Sequence, residues 1–187
     1  NGDGKGTNKP VRGKSKLTDG QKNAIIKMMD EWLHRKNIGL LHAEPHYKNI
    51  PPLVIAEELL PLPKGESTLI DYKMWCFNGK VHYIWTCSER SADGSRAHVM
   101  LYDRDWNACP QYSIFNSHYG KGKVMPKPKN LDKMIDIAEK LSSGFPELRV
   151  DLYNINPNDK NGKVYFGELT FTSLGGLMNF FTPEFLK

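Results

Sequence analysis

The chain has 187 residues, enough for one large domain or two small ones, and its 39% hydrophobic and 11% aromatic content can build a real core. It holds no run of about 18 apolar residues and no visible signal peptide, so no helical membrane span is expected. The net charge of +5 draws on Lys5, Lys9, Arg12, Lys14 and Lys16 against the single Asp3. With no zinc-finger, RNP-type or helix-turn-helix signature, phosphates on a small molecule suit that charge better than nucleic acid. Cys76, Cys87 and Cys109 lack metal or CxxC spacing and read as buried free thiols of a reducing cytoplasm. The chain begins at Asn1 inside a glycine-rich run and ends abruptly at Lys187, as expected for an excised domain of a longer protein.

Asn1 to Asn8 alternates glycine with small polar residues. Such a run is either an unstructured end or a loop whose backbone N–H groups turn around an anion, with Lys5 adding charge. It lacks P-loop and Rossmann spacing. Thr18 or Asp19 can cap a helix running to about Arg35, with Ala24, Ile25, Met28, Met29, Trp32 and Leu33 on one side. Residues 36–52 read as loop. His42 and His46 sit four apart, but Pro45 argues against a metal-binding helix between them. Leu53 to Leu60 reads as a short apolar strand ending on Glu57 and Glu58, followed by a turn at 62–67. Residues 69–76 and 80–87 read as strands joined through Asn78-Gly79, a strong hairpin signal. Asp71, Lys73 and Trp75 then share one face, and Tyr72, Met74 and Cys76 the other. A lysine inside an apolar strand sits at an edge or meets an anion.

Ser88 to Ser95 is a loop carrying Arg90; His98 to Tyr102 is another strand, and residues 110–129 read as loop. A helix from Asn130 or Leu131 to Ser143 places Met134, Ile135, Ala138 and Leu141 on one face, and Gly144 ends it. Two β-branched, aromatic runs follow, Arg149 to Tyr153 and Lys163 to Phe171, joined by turn formers at 154–162. Arg149, Asp151 and Tyr153 share a face, as do Glu168 and Thr170. If the two faces coincide, Asp151 and Glu168 meet across neighbouring strands and call for a cation such as Mg²⁺. Without one they would repel, and one would tend to hold a proton. A surface hairpin with scattered acids fits the same spacing. Trp32, Trp75, Trp85, Trp106 and the tyrosines are either core or a sugar-stacking face. The reading is α+β, with two antiparallel sheets' worth of strands and helices at 19–35 and 130–143.

Four elements now stand in order: a glycine loop, a strand ending in Glu-Glu, a strand with Asp-x-Lys, and a hairpin with Arg-x-Asp followed by Glu-x-Thr. This order resembles the ATP-grasp superfamily. The segments VIAEELL, DYKMWCFNGK, RVDLY and GELTF resemble most closely its teichuronopeptide-biosynthesis (TupA-like) branch of bacterial surface-polysaccharide gene sets, over nearly the whole chain. The resemblance implies an ATP-grasp-like fold of antiparallel sheets with packed helices, forming two lobes around a nucleotide cleft. Residues 1–56 would be the glycine loop, helix and first hinge strand of the small lobe, and residues 57–187 the C-terminal lobe with the Mg-ATP site. It implies Gly2, Gly4 and Lys5 over the phosphates, Glu57, Glu58 and Leu60 at the adenine hinge, Asp71 at the ribose and Lys73 as a phosphate- or nucleotide-side cation. Asp151, Glu168 and Thr170 would serve Mg²⁺, and Arg149 the transferred phosphate, with Arg90 a further anion-facing cation. Thr172 to Gly176 would receive the acceptor.

The implied activity is an ATP-dependent carboxylate–amine ligase in surface-polysaccharide synthesis, cytoplasmic, using ATP and Mg²⁺, an acceptor carboxylate and an amine donor. A sugar or polyol kinase of the same superfamily, or a non-catalytic glycan-binding or glycosyltransferase-associated module, are the alternatives. Two departures stand out. Thr170 replaces the usual Asn two residues after the metal Glu, and the phosphate-binding Lys that normally precedes the glycine loop lies outside this chain.

Overall fold

The computed structural model describes residues 16–34, 49–63, 68–91, 93–176 and 178–186. The chain falls into two compact units, Asn1–Leu60 with Leu174–Gly176, and Pro61–Ser173 with Leu177–Lys187.

In the first unit, helix α1 spans Asp19–Leu33. Thr18 is its N-cap. The Gln21 N–H donates to Thr18 Oγ1 at 3.3 Å while Gln21 Oε1 accepts the Thr18 N–H at 2.9 Å, a reciprocal capping box that satisfies two otherwise unpaired donors. Ile25, Met28, Met29 and Trp32 form its half-buried stripe, whereas Ala24 and Leu33, expected on the same side, are exposed. The expected strand at 53–60 is not one: residues 51–63 carry neither helix nor strand. A strand needs a neighbouring backbone for its N–H and C=O groups, and Pro51, Pro52, Pro61 and Pro63 bracket this segment with residues that cannot donate. Leu53, Ile55 and Leu59 are accordingly exposed. His42 and His46 lie outside the described residues.

The second unit is built on a single six-stranded sheet in place of two. Its strands are β1 (Asp71–Phe77), β2 (Lys80–Ser88), β3 (Ala97–Asp103), β4 (Tyr119–Lys121), β5 (Glu147–Asn154) and β6 (Val164–Thr170), with helix α2 at Leu131–Ser142. The order is β4-β3-β2-β1-β5-β6, and every pairing is antiparallel except β3 with β4. The β1–β2 turn has Asn78 at φ 49° and Gly79 at φ 73°, the left-handed pair that a two-residue hairpin requires. β4 interrupts the expected 110–129 loop.

Helix α2 buries Leu131, Met134, Ile135, Ala138 and Ser142. Leu141, expected among them, falls off that stripe and is exposed. Gly144, at φ 88°, follows as the left-handed residue past the helix end. The helix covers one sheet face, where Tyr72, Met74, Cys76, Ile84, Val150 and Leu152 form a core. The opposite face carries Trp75, Trp85, Cys87, Val99 and Leu101 beneath Phe180, Phe181 and Phe185. Trp85 stacks on Phe180, and Phe181 meets both indoles edge-on. Trp106 belongs to the α2 side, stacked on Tyr102 at 4.0 Å between centroids. Trp75, Trp85 and Trp106 are therefore core residues on opposite sides of the sheet and do not make a sugar-stacking face. All three cysteines are free and buried.

Candidate functional site

The polar part of the second sheet face lies where β1, β5 and β6 run side by side. β1 is an interior strand, so Lys73 is not an edge residue and must meet an anion. The β1–β5 register sets Asp71 opposite Tyr153, Lys73 opposite Asp151 and Trp75 opposite Arg149. The β5–β6 register sets Asp151 opposite Glu168 and Arg149 opposite Thr170, with a bulge between Asp151 and Leu152. Gly167 is the extra residue of that bulge. A Cβ there would stand 2.9 Å from the Asp151 carbonyl oxygen, so only glycine lets β6 approach this closely. The faces of the two strands coincide, and the carboxylates of Asp151 and Glu168 are neighbours.

A continuous charge network joins them. Asp151 is 4% exposed. Its Oδ1 accepts from Arg149 Nε at 2.7 Å, and its Oδ2 from Arg149 Nη2 at 2.9 Å. Lys73 donates to the same Oδ2 and lies 3.7 Å from Asp71 Oδ2. Arg90 donates to Asp71 Oδ2 at 2.6 Å and contacts Cys87 Sγ at 3.1 Å. Arg149 Nη2 also donates to Glu168 Oε1 at 2.8 Å, and the Thr170 hydroxyl donates to that oxygen at 3.2 Å. The Arg149 guanidinium sits over the Trp75 ring.

The electrostatics follow from these contacts. Burial would push the Asp151 carboxyl up, but Lys73 and Arg149 outweigh it and hold it below the ordinary carboxylate range. Burial likewise works against the charge on Arg149, and Asp151 and Glu168 more than restore it. Burial and the nearby Asp71 carboxylate push the Tyr153 phenol up. Burial also raises the Cys87 thiol, with Arg90 opposing, so Cys87 is no ready nucleophile. The expected repulsion between two carboxylates applies to a pair with no cation beside it, and here cations stand beside both. Lys73 and Arg149 supply the neutralising charge, and the Asp151 carboxyl is driven down, not up.

The structure thus brings together Asp71, Lys73, Arg90, Arg149, Asp151, Glu168 and Thr170, all in the second unit. Glu57 and Glu58 are exposed and Leu60 half-buried, and they belong to the first unit. Gly2, Gly4 and Lys5 lie outside the described residues. One partner that sequence reasoning did not single out is Ser173, whose Oγ lies 3.3 Å from Arg149 Nη1. It sits inside the Thr172 to Gly176 turn, and a hydroxyl three residues past a strand end carries no periodic signal. Ala138 and Asn130 are part of the opposite face and contribute nothing here.

A family model for TupA-like ATPgrasp matches residues 13–186, and the chain belongs to that family. No curated protein and no solved structure matches it. ATP-grasp membership points to ATP-dependent, ligase-type chemistry on small molecules, with ATP and a divalent metal in general use. Among the described residues, no helix is long and apolar enough to cross a membrane.

The donor set fits a divalent ion of that kind. Among the described residues no three His, Cys, Asp or Glu side chains converge as a ready-made cage. Mg²⁺ does not need one, since one or two carboxylates plus substrate phosphates usually hold it. Here two carboxylates converge on one cationic atom, Arg149 Nη2, so the space between them already suits a cation.

Proposed function

We propose that this chain is an ATP-dependent carboxylate–amine ligase whose metal and phosphate site is the β1–β5–β6 charge network. The observation that carries this reading is the convergence of Asp151 and Glu168 on one cationic nitrogen, with Lys73 and Arg149 beside them. Phosphoryl transfer asks mainly for positioning and for neutralisation of developing charge, and these groups supply both.

Asp151 and Glu168 would hold Mg²⁺, which supplies charge neutralisation at the phosphate oxygens when bound. Thr170 orients the Glu168 carboxylate through its hydroxyl. Lys73 and Arg149 turn toward the triphosphate. Arg149 follows the transferred phosphoryl group, Asp71 faces the ribose, and Arg90 holds Asp71 in place. Gly2, Gly4 and Lys5 would serve the phosphates, and Glu57, Glu58 and Leu60 the adenine. A division at 1–56 and 57–187 would assign the glycine loop and helix α1 to one lobe and the metal site to the other. The acceptor carboxylate is activated as an acyl phosphate. An amine donor then attacks it, giving an amide, ADP and phosphate. The family's setting makes a bacterial surface-polysaccharide precursor, handled in the cytoplasm, the acceptor class that fits best.

The test is product analysis. The chain is incubated with Mg-ATP and a panel of carboxylate acceptors and amines. Release of ADP and phosphate that needs both acceptor and amine supports the ligase. A phosphorylated sugar or polyol with no free phosphate would make the chain a kinase instead. No Mg-ATP binding by the folded chain would remove both readings and leave a non-catalytic glycan-associated module.

A further inference from the structure

Arg149 Nη2 stands between the Asp151 and Glu168 carboxylates, 2.9 and 2.8 Å from their nearest oxygens. Both Asp151 oxygens are already engaged, Oδ1 by Arg149 Nε and Oδ2 by Arg149 Nη2 and Lys73. The network as a whole pairs the cations Lys73, Arg90 and Arg149 with the acids Asp71, Asp151 and Glu168, so its formal charges cancel. Its inner members are largely withdrawn from water, with Lys73 and Arg149 side chains 12% and 13% exposed and Asp151 6%. Adding a divalent ion to such a cluster would leave two uncompensated positive charges in a poorly solvated layer. It would also require both carboxylates to give up hydrogen bonds they already hold.

We propose that Arg149 keeps the position between Asp151 and Glu168 filled until nucleotide arrives, so that the divalent ion loads together with the triphosphate and not before it. This rests on the reading that Asp151 and Glu168 hold the metal. The triphosphate offers Arg149 and Lys73 a new set of acceptors and brings the negative charge that the cluster lacks. Once these two side chains turn to it, the carboxylate oxygens are released. Arg149 is suited to that exchange. Its guanidinium rests over the Trp75 ring, and its remaining polar contact, to Ser173 Oγ, is long at 3.3 Å. It can therefore leave Glu168 while keeping its aromatic platform. Glu168 is 61% exposed at its side chain and accepts solvent on release. The consequence is ordered loading: free metal is refused, and metal with nucleotide is accepted.

The experiment is calorimetric titration of Mn²⁺ and of Mg²⁺ into the full chain, alone and with a non-hydrolysable ATP analogue. It is repeated for Arg149→Met, Arg149→Lys and Arg149→Met/Glu168→Gln, each checked for fold by circular dichroism. Wild type is expected to bind metal only in the presence of the analogue. Arg149→Met should gain affinity for metal alone by about tenfold or more, since a neighbouring positive charge is removed. The added Glu168→Gln should erase that gain. Arg149→Lys, which cannot reach both carboxylates with one fork, should gain less and covers the case in which Arg149→Met does not fold. Wild type that binds metal alone as tightly as with the analogue overturns the proposal. So does a folded Arg149→Met with no gain, and in either case binding of the nucleotide analogue by wild type would leave the ligase reading standing. If wild type binds neither metal nor analogue, the ligase reading fails and takes this proposal with it.

Discussion

Lys73 and Asp151 face each other across β1 and β5, and the Lys73 ammonium donates directly to Asp151 Oδ2 inside the sheet face. Their side chains are 12% and 6% exposed, so the pair is shielded from water and salt. Removing one member leaves the other charged in a poorly solvated place, which costs about 3–5 kcal/mol. Asp151→Asn should therefore destabilise the metal-free chain by roughly that amount, read as a lower denaturation midpoint in urea. An unchanged or raised midpoint would mean that repulsion with Glu168 dominates after all.

The same pair sets a pH dependence. Folding lowers the Asp151 pKa, so as pH falls the unfolded chain takes up this proton before the folded chain does. The stabilisation is complete above the ordinary carboxylate value of about 3.9 and is lost below it, as pH falls through the depressed folded value. Chemical denaturation between pH 7 and pH 3 should show a steeper acid loss for wild type than for Asp151→Asn. Parallel curves would locate the acid-sensitive groups elsewhere.

Gly167 is the backbone device that brings Glu168 beside Asp151. A methyl group at this position would meet the Asp151 carbonyl oxygen at 2.9 Å and Tyr153 Cε2 at 3.1 Å. Gly167→Ala should cost about 1–3 kcal/mol by overpacking. It should also weaken Mg-nucleotide binding, because the next residue is the proposed ligand. A variant with wild-type stability and wild-type binding would show that the bulge has no part in the site.

Thr170 gives a graded control. Its hydroxyl donates to Glu168 Oε1 at 3.2 Å from an exposed strand, so Thr170→Ala should leave stability within about 1 kcal/mol. Mg-nucleotide affinity should fall by less than it does in Glu168→Gln. Equal losses in the two variants, measured by titration, would instead make Thr170 a direct ligand.

Much of this arrangement was legible beforehand. Alternation in Arg149 to Tyr153 and in Glu168 to Thr170 gave the shared face, Asn78-Gly79 gave the hairpin, and a lysine among apolar neighbours marked Lys73. What the sequence did not carry was the β1–β5 register, which joins strands more than 70 residues apart and sets Lys73 on Asp151. Sequence alone therefore shows two carboxylates without the Lys73 partner that the fold supplies. The 53–60 segment is the opposite case. Its residues favour a strand, but a strand also needs a partner, and prolines stand on both sides. β4 leaves no trace in the sequence, because three residues among Lys and Gly have no period.

The most direct test of the central claim is the melting temperature of wild type and Glu168→Gln, each with no addition, Mg²⁺, ATP and Mg-ATP. Glu168 is exposed, so its substitution should leave the unliganded melting temperature nearly unchanged. Wild type should show a clear upward shift with Mg-ATP, larger than with either component alone, and Glu168→Gln should lose the Mg²⁺-dependent part of that shift. A wild type with no Mg-ATP shift, or a Glu168→Gln that keeps the full shift, would contradict the assignment of this network as the metal and nucleotide site.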